Sequence, residues 1–355
     1  MNILVTGHHG YIGSVTTPVL TTAGHDVFGF DTFFYEGCDF GRDGSSIQDA
    51  RVDVRDVAPD QLEGFDAIVH LAALSNDPLG DLHSDWTYDI NLNGTLSLAR
   101  AAKRAGVPRF VFASSCSMYG ASTSDELLDE TAPLRPLTPY AESKVRAEEG
   151  LRELADADFS PVYMRNATAY GVSPRLRLDV VLNNLAAWAH TTGKVRLLSD
   201  GRSWRPLVHV EDIARATAAI LAAPRPVVHD QAFNVGSQDQ NVQVRELADG
   251  LRELLGCEVE TSHDATADPR SYRVDFTKLT TSLGGFECEW NVRSGASQLV
   301  DAYASVGLTY DDFVEKGKYT RLVQLKKLVA HDSLDGDLRW TASAGDGRRS
   351  RPTSS

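Results

Sequence analysis

The sequence predicts an α/β protein: a doubly wound parallel sheet, followed by a smaller and irregular C-terminal domain. Three observations predict it. Apolar strands alternate with helices up to about Asn166, the pattern of a parallel sheet covered on both faces. A glycine-rich loop, TGHHGYIGS at Thr6 to Ser14, follows the first strand and opens the first helix. Beyond Asn166 the alternation becomes irregular, as expected of a second, different unit.

Each element has its own warrant. Asn2 to Thr6 is short and rich in β-branched residues, and Tyr11 to Ala23 has helical spacing. DVFGFD ends a second strand at Asp31, ARVDVRD supplies a third, and FDAIVHLAA a fourth near Phe65 to Ala73. RFVFASS, Arg109 to Ser115, is the fifth, and SPVYMRNA a sixth near Val162 to Arg165. The clearest intervening helices are Trp86 to Arg104 and Tyr140 to Leu154. A helix at Asp179 to His190, the strand VRLL, the helix VEDIARATAAILAA, AFNVG, a helix at Val242 to Leu255 and a charged helical stretch follow. The segment TASAGDGRRSRPTSS is small, polar and basic, and reads as a disordered tail over 341–355.

With 355 residues the chain has room for one large α/β unit or two domains sharing an interface. A net charge of −14 argues against a nucleic-acid partner, which needs a basic surface. Cys38, Cys116, Cys257 and Cys288 show no C-x-x-C spacing, so no disulfide framework or zinc site is expected and a cytoplasmic setting is the default. No apolar run approaches the ~18 residues of a membrane span, so no membrane partner is expected.

The loop poses a choice, because adjacent His8 and His9 suggest a metal whereas Gly7, Gly10 and Gly13 suggest backbone binding of phosphate. Glycine is needed where a backbone turns tightly, approaches a pyrophosphate or lets a helix pack close to a sheet. The intervening positions, Tyr11 and Ile12 among them, then present N–H groups while their side chains point elsewhere. A two-histidine site would need further ligands in space, so the nucleotide reading is preferred and no metal is expected. Asp31, ending the second strand, can accept hydrogen bonds from the adenosine ribose hydroxyls and would repel a 2′-phosphate, favouring NAD over NADP. A plain strand-end turn residue is the alternative for Asp31.

PYAESKVRAEE places Tyr140 and Lys144 on one face of a helix. A free phenol has a pKa near ~10, so Tyr140 needs help to act as a base near neutrality. The Lys144 ammonium and a positively charged nicotinamide would give that help. Ser115, closing the fifth strand in ASSCSMYG, offers a hydroxyl to orient a reacting sugar oxygen at the strand edge where ligands of such sheets gather.

Taken together, TGHHGYIGS, the Asp31 strand end, VDVRD, VHLAA, SSCSMYG, PYAESK and DGRSWRPLVHVEDIA resemble the extended short-chain dehydrogenase/reductase superfamily. The likeness is to its nucleotide-sugar epimerase and dehydratase branch, UDP-glucose 4-epimerase-like enzymes included, and runs from Met1 to about Trp340. It implies a Rossmann-type NAD-binding domain over 1–165, to which the helix near 208–223 returns, and a mainly nucleotide-sugar-binding domain over 166–335. It implies that Ser115, Tyr140 and Lys144 are catalytic, that Asp53, with Val54 beside it, contacts adenine, and that Leu71, Ala72 and Ala73 line the cofactor. Arg205, Arg270 and Asn184 match residues that hold the substrate's pyrophosphate; surface ion pairing is the alternative for the arginines. Ser75, Ser117 and Thr168 are further candidate substrate contacts, Thr168 standing where many relatives have asparagine. Arg175 and Arg177 either meet an acidic or modified sugar or form salt bridges at a domain seam. The likeness also implies a homodimer through helices at Asp85–Arg104 and Tyr140–Leu154, for which a monomeric mass by light scattering would be the wrong outcome.

The reaction narrows by what is missing. Related 4,6-dehydratases carry an Asp-Glu pair directly after the catalytic hydroxyl, where this chain has Cys116 and Ser117. Decarboxylating relatives usually have glutamate at the Ser117 position, and Cys116 is one place too early for a cysteine-dependent 3,5-epimerase. What remains is 4-epimerisation through a transient 4-keto sugar, which needs no further acid or base, with an NAD(P)H-dependent 4-ketoreductase second. A non-catalytic NAD-binding sensor is the reading from another class.

Overall fold

The computed structural model describes residues 1–41, 47–75, 83–122, 126–266 and 270–341. Its first half supplies strands β1 (Asn2–Thr6), β2 (Asp26–Asp31), β3 (Gln48–Arg51), β4 (Ala67–His70), β5 (Arg109–Ser115) and β6 (Ser160–Asn166). Its second half supplies β7 (Thr168–Tyr170), β8 (Lys194–Ser199), β9 (Trp204–His209), β10 (Gln231–Val235), β11 (Asn241–Gln243) and β12 (Glu258–Thr266). Seven strands form one parallel sheet in the order β10-β6-β5-β4-β1-β2-β3. The order reverses beside β1, which opens a crevice there at the C-terminal strand ends.

Period-two alternation sends the strand residues to two cores. Ile3, Val5, Val69, Val111 and Val162 face the helices Gly13–Thr22 and Val210–Ala222 through Leu20, Ile213, Ala216 and Ile220. Leu4, Phe30, Ile68, Phe110 and Tyr163 face Thr95–Arg104 and Pro139–Leu154 through Leu98, Ala102, Ala147 and Leu151. A separate cluster fills the second unit, where Leu182, Leu185, Leu207, Leu247 and Leu299 meet. There β7 and β11 flank β9, while β12 pairs with β8.

Three expectations need correction. ARVDVRD is not one strand: pairing with β2 ends at Arg51, and Val54–Asp56 is a 3-10 turn. Asp53 causes this, because its carboxylate accepts the Arg55 N–H at 2.9 Å and so competes with extension. The sheet is also incomplete at residue 165, since β10 returns as its seventh strand after the helix Val210–Ala222. The helix expected from Trp86 begins at Ser84 and contains a π-helical turn at Tyr88–Gly94 before Thr95–Arg104. Of the tail over 341–355, all but Thr341 lies outside the described residues.

Candidate active site

The crevice holds a cavity of about 1060 Å³, walled by the ends of the strands, the glycine loop and the second unit. Gly7, Gly10, Tyr11, Ile12 and Gly13 all line it. A Cβ on Gly13 would stand 2.1 Å from the Gly7 carbonyl, and one on Gly7, whose φ is +74°, 2.6 Å from the Ala72 nitrogen. The loop therefore packs backbone to backbone against the Leu71–Ala73 segment, also in the wall. The two histidines are spent elsewhere. His8 is buried against Gly29 with Nε2 3.3 Å from Asp49, and the His9 ring lies 4.8 Å from Phe33.

Asp31 lines the cavity and accepts the N–H groups of His9 at 3.0 Å and Phe33 at 2.8 Å. Burial raises its pKa, while the neighbouring His8, these two N–H groups and Arg175 pull it down. Asp53 and Val54 are in the same wall. Burial alone would raise the Asp53 carboxyl, but hydrogen bonds and charge from Arg55, helped by Arg339, hold it below the usual range. A dinucleotide fits this end by observation: a loop that no side chain can enter, a helix N-terminus behind it and an acidic group at the second strand end.

The reacting end is built by β5 and the helix Pro139–Leu154. Thr138 caps that helix by accepting the Ala141 N–H at 3.2 Å, which sets Tyr140 in its first turn at the cavity wall. Lys144 is buried, with Nζ 2.6 Å from the Ala113 carbonyl and 5.8 Å from the Tyr140 ring centroid. Burial pushes its pKa down to about 7, against the pull of the Glu148 carboxylate. Ser115 Oγ accepts the Ser117 N–H at 3.1 Å and lies 2.9 Å from Ser117 Oγ, so both hydroxyls face the cavity. Cys116 turns the other way: it is fully buried, with Sγ 3.0 Å from the Arg165 carbonyl, and burial drives its thiol pKa far upward.

The remaining candidates divide. Ser117, Thr168, Arg205 and Arg270 share a side pocket of about 80 Å³ with Leu137, Thr138 and Tyr272. Arg205 Nη1 donates to the carbonyls of Trp204, at 2.9 Å, and of Arg270. Asn184 lines the main cavity and donates to the Leu178 carbonyl at 2.8 Å. Ser75 and Arg177 also line it, joined by hydrogen bonds of 2.8 and 2.9 Å, and Arg177 pairs with Asp179 at 2.8 Å. Arg175 is not in the wall. It is buried and paired with Asp39 and His9, so the seam salt bridge, not the sugar contact, describes it.

Three residues were not legible as site residues. Asn91, inside the π-helical turn, accepts the Leu74 N–H at 2.8 Å and donates to its carbonyl at 3.0 Å, fixing the loop after β4. An amide in the apolar stretch DINLNGT is the signal that was available. Asn166, in register with Ser115, lines the cavity with a buried Oδ1 that has no partner. Arg321 reaches the same cavity from the far end of the chain.

The family model described as "NAD dependent epimerase/dehydratase family" matches residues 3–236. A UDP-glucose 4-epimerase from Mycolicibacterium smegmatis is 30% identical over 300 residues, covering 80% of this chain and 93% of that protein. A dTDP-glucose 4,6-dehydratase from Streptomyces griseus is 29% identical, covering 80% and 88%. The solved structure of MoeE5 in complex with UDP-glucuronic acid and NAD is similar at a TM-score of 0.75 and 27% identity, covering 86% of this chain and 99% of that one. The cradle, the Ser115–Tyr140–Lys144 wall and these likenesses agree, and the chain is an enzyme belonging to the NAD-dependent epimerase/dehydratase family.

Proposed function

We propose that this enzyme inverts a nucleotide-activated sugar at C4 through a transient 4-keto sugar. One observation carries the reading. The two positions after Ser115, where a dehydratase-type acid/base pair would stand, hold Cys116 turned into the core and Ser117 bonded to Ser115. Among the described residues of the cavity wall the carboxylates are Asp31, Asp53 and Asp179, and none is in the side pocket beside Ser117. Among the described residues that leaves Tyr140, with Lys144 beside it, to carry the proton at the reacting end, which suits oxidation and reduction at a single carbon.

NAD, when bound, supplies the hydride acceptor and returns the hydride. Tyr140 takes the C4 hydroxyl proton and gives it back, Lys144 favours the phenolate by its charge, and Ser115 orients the C4 oxygen. Arg205, Arg270 and Asn184 hold the substrate diphosphate while the keto sugar turns, with Ser117 and Thr168 lining the space it turns in. We extend the reading to a cytoplasmic homodimer, for which light scattering is the check.

The test is proton NMR in deuterated buffer with UDP-, TDP-, GDP- and CDP-hexoses and hexuronic acids, and no added cofactor. The expected product is the C4 epimer without deuterium at the inverted carbon, absent with Tyr140→Phe. No product from the panel, together with NADH consumption on a 4-keto sugar, would replace epimerase by ketoreductase.

A further inference from the structure

The C-terminal segment 320–341 crosses the adenosine edge of the cavity. Its Leu325, Leu334 and Leu338 pack on Phe34, Leu74 and Ile90. Trp340 Nε1 donates to the Thr32 carbonyl at 2.6 Å, just past Asp31. Arg339 pairs with Asp53 at 3.3 Å and with Asp56, while Arg55 Nη1 donates back to the Asp337 carbonyl at 2.9 Å. Trp86 Nε1 donates to Gly336 O at 2.7 Å. Each anchor lies on an element that carries a cofactor-lining residue or adjoins one.

Arg321 is the residue of this segment that enters the cavity, and it is 4% exposed. Its guanidinium lies 4.1 Å above the Tyr35 ring and donates to the Arg175 carbonyl at 2.7 Å. No carboxylate among the described residues pairs with it. Asp179, committed to Arg177, acts on it only through space, and a buried cation without a directly bonded anion is costly unless one completes the site. Arg177 stands in the same wall and has Asp179 as its carboxylate partner. Both guanidinium groups act on Tyr11, which belongs to the glycine loop.

We infer that Arg321 and Arg177 bind the pyrophosphate of NAD, and that the segment 320–341 is a strap whose docking keeps the dinucleotide resident. The phosphates would meet loop N–H groups on one side and two planar forks on the other, a geometry in which arginine binds phosphate well. This rests on the family's use of NAD and not on the 4-epimerase reading, so an inactive NMR panel leaves it standing.

The test is nucleotide binding. Wild-type protein is expected to hold NAD through repeated desalting, measured by chromatography of the released nucleotide. In nucleotide-stripped protein, calorimetry should show Arg321→Met binding NAD and ADP-ribose at least about tenfold more weakly, with adenosine affinity unchanged. A chain ending at Thr320 should lose NAD on desalting. If circular dichroism shows that chain unfolded, Trp340→Ala with Arg339→Ala undocks the strap instead and should speed NAD release. Wild-type release on desalting, or undocked variants that keep NAD as well as wild type, would overturn the strap. Equal losses for adenosine and NAD in Arg321→Met would overturn the phosphate role.

Discussion

Lys144 Nζ is bonded to the Ala113 carbonyl at 2.6 Å, on the strand that ends in Ser115. The lysine thus ties the helix bearing Tyr140 to the strand bearing the serine, and holds its amine beside the phenol ring. The cost is burial. Its folded-state pKa is about 7 against an ordinary 10.5. Between those values the unfolded chain binds the additional proton, so stability rises with pH, by up to about 1.4 kcal/mol per unit. Below pH ~7 both states are charged and the full penalty stands. Urea midpoints of nucleotide-free protein should therefore climb from pH 7 to 9 more steeply in wild type than in Lys144→Met. Parallel curves for the two proteins would contradict the depressed pKa.

Cys116 sits directly after Ser115, yet its thiol is turned into the core. Cys116→Ala should cost about 1–2 kcal/mol of stability, from lost packing and one lost hydrogen bond, and leave turnover within about twofold. Iodoacetamide should not label it in the native protein, because the reactive species is the thiolate and burial raises the thiol pKa. Rapid labelling, or loss of turnover with stability intact, would reinstate a chemical role.

The sheet and the placing of Ser115, Tyr140 and Lys144 in one cavity wall were legible because both depend on local periodicity. β1, β2 and β5 stand where their apolar spacing put them, and Tyr140 and Lys144 share a helix face for the same reason. Failures came where a side chain competed with the backbone or where contacts were remote. Asp53 stops a strand that hydrophobicity alone would continue. The π-helical turn keeps helical spacing on both sides, so it leaves no periodic signal around Asn91. Arg175 and Arg177 are alike in sequence, and only packing sends one to Asp39 and the other to Ser75 and Asp179. Arg321 meets the cavity across the whole length of the fold, a pairing that no local pattern encodes.

Gly13 and Gly24 separate two reasons for glycine. Gly13 has a helical backbone but no room, its Cβ position lying 2.1 Å from Gly7 O, whereas Gly24 has φ of +84° and open space. Gly24→Ala should cost about 1 kcal/mol through backbone strain and leave NAD binding unchanged. Gly13→Ala should displace the loop and abolish NAD binding in calorimetry, whatever remains of the fold. Unchanged NAD affinity in Gly13→Ala would mean that the loop does not cradle the cofactor.

Asn91 lets the loop after β4 be both buried and ordered. Its amide satisfies the N–H and the carbonyl of Leu74, and Leu71, Ala72, Ala73 and Ser75 around it line the cavity. Asn91→Ala leaves both backbone groups buried without partners, which should cost about 2–4 kcal/mol. Asn91→Asp keeps an acceptor for the N–H but buries a carboxylate against the Leu74 carbonyl, so it should cost at least as much as Asn91→Ala. If Asn91 positions the cofactor wall, NAD affinity should weaken in the same order as stability, while the affinity for a nucleotide diphosphate without sugar, which we propose Arg205 and Arg270 hold, stays constant. Equal weakening of both ligands would make Asn91 a general packing residue instead.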